Sequence, residues 1–139
     1  MNFLLDTCVL SELVAKEPNP KVVEFVDSLD ADDVYLSVIT IGEITKGIER
    51  LPKSKRKTEL QAWLKEDLLI RFDGRLVSLD ADVLIEWGKL TAEFELKGKT
   101  IPAIDSLIAA TVLAHQFTLV TRNVDDFEGA GVEIVNPWE

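Results

Sequence analysis

Short apolar runs and longer helical stripes take turns along this chain. Asn2 to Leu5 is a brief apolar run that reads as a buried strand. Thr7 to Ala15 has helical spacing through Val9, Leu10, Leu13 and Val14. Pro18-Asn19-Pro20 breaks that pattern, and Val22, Val23, Phe25, Val26 and Leu29 predict a second helix. Val34 to Val38 is β-branched and aromatic, the composition of a strand. Thr40 to Leu51 puts Ile41, Ile44, Ile48 and Leu51 on one helical stripe, and Pro52 ends it. A basic stretch follows, then a helix predicted from about Thr58 to Ile70 with Leu60, Trp63, Leu64 and Leu68 inward. Asp73-Gly74 is a turn and Leu76 to Leu79 a short strand. Asp82 to Leu96 is an amphipathic helix that Gly98 stops. Pro102 to Gln116 is the next helix, Phe117 to Thr121 a strand, and Val132 to Val135 the last strand before Asn136-Pro137-Trp138.

Short apolar strands alternating with helices predict an α/β fold, a parallel sheet with helices on both faces. Nothing divides the 139 residues, so a single domain over 1–139 is expected. Two helices separate most strand pairs, which leads us to expect one of them to lie across the sheet.

Composition narrows the chemistry. The chain has 25 acidic and 15 basic residues, a net charge of −10, one Cys and one His. One Cys excludes an internal disulfide and a Cys-rich zinc site. One His excludes His-x-x-x-His centres. Any catalysis must lean on carboxylates. There is no basic leader with a long apolar segment and no run of roughly 18 apolar residues. A cytoplasmic protein without a membrane anchor is therefore expected. The acidity argues against a nucleic-acid coat but leaves room for an enzyme with a few local contacts.

Four acids stand out by position. Asp6 follows the first strand, and Glu43 falls in the predicted first turn of the helix after the second. Asp105 falls in the first turn of the helix starting at Pro102, and Asp126 follows the strand ending at Thr121. Each has a plain structural reading, because acids suit helix N-termini. Asp6 could cap the first helix, and Thr40-Ile41-Gly42-Glu43 fits a capping box. Together they suggest more. In a parallel sheet every strand ends on one edge, so Asp6, Glu43 and Asp126 share that edge. The helix carrying Asp105 runs into the next strand, so its start lies there too. This is the edge where open α/β sheets bind ligands. The Asp105 helix is apolar nearly all round, so its carboxylate is expected to be buried and to need a partner. Like charges so grouped take up protons or bind a cation. Hard oxygen donors without His or Cys fit Mg²⁺ or Mn²⁺, which supports phosphodiester hydrolysis without a histidine.

The residues Leu4-Leu5-Asp6-Thr7, Glu43 after a strand, Pro102-Ala103-Ile104-Asp105-Ser106-Leu107-Ile108-Ala109-Ala110 and Thr121-Arg122-Asn123-Val124-Asp125-Asp126-Phe127 resemble the PIN-domain nucleases. The pattern is similar to VapC-type toxins, including the FitB-like branch, and Asn136-Pro137-Trp138 adds to the likeness. The resemblance runs nearly end to end. It implies a three-layer α/β/α fold around a central parallel sheet, and a Mg²⁺- or Mn²⁺-dependent ribonuclease acting on RNA. It also implies neutralisation by a small VapB-like antitoxin, a homodimer, and operator DNA bound only through the antitoxin. Asp6, Glu43, Asp105 and Asp126 correspond to the family's acidic, metal-binding tetrad, and Thr7, Thr121 and Asn123 to polar positions that support it. Cys8 stands where Asn or Ser is common and Ser106 where Ala is common. Asp125 competes with Asp126 for the fourth place; Asp126 fits because it precedes Phe127.

Lys46, Arg50, Lys53, Lys55, Arg56 and Lys57 concentrate six of the 15 basic residues. Lys46 and Arg50 share a helix face with Glu43 and are candidates for substrate phosphates. Lys53 to Lys57 read as a solvated loop and helix end. His115 reads as a structural cation at a helix C-terminus. Cys8, near a helix start that could lower a thiol pKa, reads as a buried small residue. Trp63, Trp87 and Trp138 read as packing or interface residues. Two rival functions are a metal-dependent phosphatase or receiver-like phospho-acceptor with Asp6 as nucleophile, and a catalytically weak module acting through an antitoxin–DNA complex. Position 8 is Cys, so the Asp-x-Asp of the first rival is missing, and the intact acidic set opposes the second.

Overall fold

The computed structural model describes all residues, 1–139. Five strands form one sheet: β1 (Phe3–Leu5), β2 (Val34–Ser37), β3 (Leu76–Val77), β4 (Thr118–Val120) and β5 (Ile134–Val135). Their order is β3-β2-β1-β4-β5, and every pairing is parallel. In register, Leu4 lies between Tyr35 of β2 and Leu119 of β4. The helices are α1 (Thr7–Leu13), α2 (Pro20–Ser28), α3 (Val38–Glu49), α4 (Lys55–Trp63), α5 (Leu69–Arg71), α6 (Ala81–Leu96) and α7 (Ala103–His115).

The strand order explains the layers. The chain steps from β1 to β2 to β3 in one direction, then jumps back to β4 on the far side of β1. Right-handed crossovers therefore place the first helices on one face and the later ones on the other. One core accordingly gathers Val9 and Leu10 of α1, Val22 of α2, Ile44 and Ile48 of α3 and, beyond α4, Leu64 and Leu68. The other gathers Leu90 of α6 with Ile108, Ala109 and Val112 of α7. Successive residues of a strand point to opposite faces, so Leu5 enters the first core and Leu4 the second. Both helices of each crossover lie on the same face. The expectation that one helix crosses the sheet is wrong; each pair folds back on itself instead.

Three boundaries differ from the sequence pattern, each because of a capping side chain. Helix α3 starts at Val38, directly from β2, because Ser37 caps it by accepting the Ile39 N–H (3.1 Å). The predicted Thr40–Glu43 capping box is absent, and Glu43 sits in the second turn rather than the first. Helix α4 starts at Lys55 because Ser54 caps it through the Lys57 N–H (3.1 Å). Its cations then close other helices, as positive charge at a helix C-terminus favours. Arg56 donates to the Val14 carbonyl (2.6 Å) and Lys57 to those of Glu49 (3.1 Å) and Leu51 (3.2 Å). A π-helical turn, Leu64–Leu68, joins α4 to α5 and buries both of its leucines. Strand β3 is shorter than predicted, because Asp80 caps α6 through the Val83 N–H (3.0 Å) and the chain leaves the sheet early. Helix α7 ends where Gln116 takes a left-handed conformation (φ 57°) and turns the chain into β4.

Leu119 is 0% exposed in the centre of β4, whereas Leu96 is 88% exposed at the end of α6. Leu119→Ala is expected to lower unfolding free energy by about 2–5 kcal/mol, and Leu96→Ala to leave it within about 0.5 kcal/mol. Urea titration of both variants checks this ordering.

Candidate active site

The point where the chain's strand order reverses lies between β1 and β4, and a ligand crevice is expected outside the strand ends there. Asp6 emerges from β1 at that point. Its backbone N–H donates to the Val120 carbonyl of β4 (2.9 Å), so the residue still belongs to the sheet edge. Its side chain caps α1, as the sequence suggested, with Oδ1 accepting the Thr7 N–H (2.9 Å). Oδ2 accepts from the Thr121 hydroxyl (2.8 Å). Thr121 is fully buried and its Oγ1 in turn accepts the Asn123 N–H (3.0 Å). A hydroxyl that accepts from one side gives its proton to the other, so the Asn123 backbone orients Thr121 toward Asp6. The Cys8 Sγ also lies 3.5 Å from this hydroxyl.

Glu43 arrives from the other side. Its Oε1 accepts from the Thr7 hydroxyl at 2.6 Å, and the buried Thr40 hydroxyl lies 3.2 Å from the same Thr7 oxygen. Thr7 therefore touches two of the acids, Asp6 through its backbone and Glu43 through its side chain. Thr40 is a supporting residue that sequence reasoning used only as a cap. Asp105 lies in the first turn of α7. Asp126 lies in a 3-10 turn, Val124–Phe127, held down by the buried Phe127.

The electrostatics join the four acids. Burial pushes the Asp6 carboxyl above the ordinary carboxylate range; its two hydrogen bonds oppose the rise, and Glu43 and Asp126 add to it. The Asp105 carboxyl is also raised, first by desolvation and then by Asp126, Asp6 and Glu43. Asp126, and not Asp125, acts on both. No basic side chain answers these charges. The ion pairs within 4.0 Å are Lys55–Glu59 and Arg71–Asp67, both away from the site. One expectation needs correction. Asp105 is half-buried at the exposed start of α7, while the acid buried at 8% exposure is Asp6. The apolar character of α7 belongs to the turns after Asp105.

These donors suit a hard divalent cation: carboxylate oxygens that form no ion pair with a basic side chain. No three His, Cys, Asp or Glu side chains converge closely enough to enclose an ion alone.

Of the remaining candidates, Lys46 and Arg50 are exposed and line a groove with Thr7, Gly42, Glu43 and Ile104. His115 stacks on Phe117 (5.2 Å between ring centroids) and is structural. Burial raises the Cys8 thiol above its usual value, against any activation by the helix start. Trp87 donates its indole N–H to Ser106 Oγ (2.9 Å), which donates to the Ala103 carbonyl (2.6 Å). This contact braces the first turn of α7 beside Asp105. No spacing in the sequence announces it.

Residues 3–132 match the PIN domain family. The chain belongs to the PIN-domain family. It is 39% identical over 136 residues to the VapC ribonuclease Y4jK of Sinorhizobium fredii, covering 98% of this chain and 97% of that one. It is 39% identical over 135 residues to toxin FitB of Neisseria gonorrhoeae, covering 97% of each. A structure of FitAB bound to an IR36 DNA fragment superposes with a TM-score of 0.92 at 38% identity, over 99% of this chain and 96% of that one. The PIN fold is thus that of the three-layer arrangement described above.

Uncompensated charge at Asp6 and Asp105 leaves its mark on stability. A carboxyl with a raised folded-state pKa destabilises the native state once the pH exceeds that value. The penalty fades as pH falls through the raised pKa toward the ordinary value of 3.8. In metal-free buffer at pH 7.5, Asp6→Asn is expected to be more stable than the parent by about 0.5–2 kcal/mol, with Asp105→Asn changed in the same direction by less. Melting curves at stepped pH should show the advantage shrinking in acid.

Proposed function

We propose that this PIN-domain protein is a Mg²⁺- or Mn²⁺-dependent endoribonuclease and the toxin of a toxin–antitoxin pair. The observation that carries the reading is the buried Asp6 carboxylate at the β1/β4 reversal, fixed by Thr7 and Thr121 within the field of Glu43, Asp105 and Asp126. The names of the relatives, a VapC ribonuclease and toxin FitB, support the activity and the role.

Asp6 and Asp105 would hold the metal directly, with Glu43 and Asp126 ligating or acting through water. The bound ion supplies Lewis acidity toward a phosphodiester and lowers the pKa of water. The chain's residues do the rest. Thr121 and the Thr7 N–H keep Asp6 in one orientation, so its oxygens face the substrate without reorganisation. The Thr7 hydroxyl fixes one oxygen of Glu43, leaving Oε2 without a protein donor and able to take a proton from an attacking water. The N-terminus of α7 brings Asp105 in from the opposite side of the sheet. Lys46 and Arg50 contact phosphates of the RNA strand from α3.

The partners follow from the same reading. A VapB-like antitoxin blocks the site, operator DNA is bound through the antitoxin, and the protein works in the cytoplasm. The FitAB structure, which contains DNA, supports the second of these. No helix is long and apolar enough to cross a membrane. A homodimer would cover the exposed apolar residues Leu84, Ile85, Trp87 and Ile104 near the starts of α6 and α7. A phospho-acceptor role for Asp6 finds no support, since Cys8 stands where the Asp-x-Asp pattern needs its second acid.

The test is cleavage of single-stranded RNA by the purified protein with Mg²⁺ or Mn²⁺. Cleavage should vanish with chelator and in Asp6→Asn and Asp105→Asn. Thr121→Val, which keeps the shape but not the hydroxyl, should lose about 10–100-fold, as supporting partners of metal ligands do. Activity that survives both Asn variants contradicts the mechanism.

A further inference from the structure

The acidic site has to admit a polyanion, so the positive charges beside it decide how the strand enters. The sheet order fixes where they stand. β2 and β4 flank β1, and α3 leaves β2 carrying Glu43, Lys46 and Arg50. The segment leaving β4 carries Thr121, Arg122, Asn123 and Asp126. The α3 cations share a groove with Thr7 and Glu43 on the β2 side of Asp6, and Arg122 shares a hollow with Asp126 on the β4 side. The two flanking strands are two strand spacings apart, about 10 Å.

Arg122 is exposed and makes no ion pair, although Asp125, Asp126 and Glu139 line the same polar hollow. Its guanidinium lies over the Trp138 ring instead, 5.5 Å from the centroid. That ring is itself anchored. Its indole N–H donates to Glu12 Oε1 (3.2 Å), its backbone N–H to Asn136 Oδ1 (3.0 Å), and it packs against the first core. The backbone before Arg122 is anchored as well, with the Thr121 N–H donating to the Val135 carbonyl (3.1 Å). A guanidinium held over a fixed ring, with no side-chain acceptor in the protein, keeps its fork of N–H donors free for bidentate phosphate recognition.

We propose that Arg122 binds a backbone phosphate of the RNA strand on the β4 side of the carboxylates. Lys46 and Arg50 hold the strand on the β2 side, so it crosses the acids gripped at both ends. The assignment rests on the ribonuclease reading and adds to it a direction of travel for the substrate. It also gives the stacked Trp138 a purpose, as the platform that keeps Arg122 extended.

The test uses a fluorescent 12-nucleotide single-stranded RNA and anisotropy in Mg²⁺ at stepped KCl. The Asp105→Asn background stops cleavage. Adding Arg122→Ala should weaken binding about 10-fold, the order of one charge-assisted contact. It should also flatten the slope of log affinity against log salt by about 0.7, the value for one phosphate on a single strand. Arg122→Lys should restore the slope but not the full affinity, having charge without the fork. Lys53→Ala, an exposed cation that lines neither the α3 groove nor the Arg122 hollow, should change neither. An unchanged slope in Arg122→Ala overturns the proposal, as does an equal change in Lys53→Ala. So does a fall in melting temperature with binding intact, which would make Arg122 only a brace for the C-terminal segment. Failure of the ribonuclease reading shows separately, as absence of cleavage by the unaltered protein.

Discussion

The bond from the Thr121 hydroxyl to Asp6 joins the two strands on which everything else depends. It spans the β1/β4 junction, where the strand order reverses and the sheet's edge opens. A buried carboxylate without a cation is expensive for a fold to maintain. Two hydrogen bonds make it tolerable here but do not bring its pKa back to the ordinary value. The site is thus charged, held still and under-compensated before any ligand arrives. On the proposed reading, that combination makes a place for a cation out of a residue that also caps α1.

The supporting cast is arranged around that constraint. Thr7 hydrogen-bonds both Asp6 and Glu43, which ties the start of α1 to the second turn of α3. Trp87 and Ser106 tie α6 to the first turn of α7, which fixes Asp105 from the other layer. The basic run that seemed a single patch divides by use. Arg56 and Lys57 close helix ends, and Lys46 and Arg50 stay free beside the acids. The net charge of −10 is therefore a poor guide to the local surface, where Lys46 and Arg50 line a groove with Glu43 and Arg122 a hollow with Asp126.

Much of this was legible in the amino-acid order. Five apolar runs gave five strands, and the position of each acid relative to a strand end put Asp6, Glu43 and Asp126 on one edge. The order of the strands was not legible, because apolar runs such as Leu4–Leu5 and Val120 carry no record of their neighbours. That is why paired helices looked as though one must cross the sheet. The depth of Asp105 is not legible because the stretch Ile101 to Leu113 is apolar nearly all round, although its start is exposed. Helix α3 was started too late because β-branched Val38 continues the strand pattern, while the cap at Ser37 depends on geometry. Hydrogen bonds between distant residues, Thr7 to Thr40 and Trp87 to Ser106, leave no trace in spacing at all.

The central claim is that this carboxylate cluster depends on a divalent cation for its missing counter-charge. Thermal unfolding against Mn²⁺ concentration tests it most directly, because a ligand of the native state stabilises by RT ln(1 + [L]/Kd). The account predicts a melting temperature that climbs steadily with Mn²⁺ in the parent protein and stays flat in the Asp6→Asn/Asp105→Asn variant. A parent melting temperature indifferent to Mn²⁺, or a rise of equal size in the double variant, would contradict it.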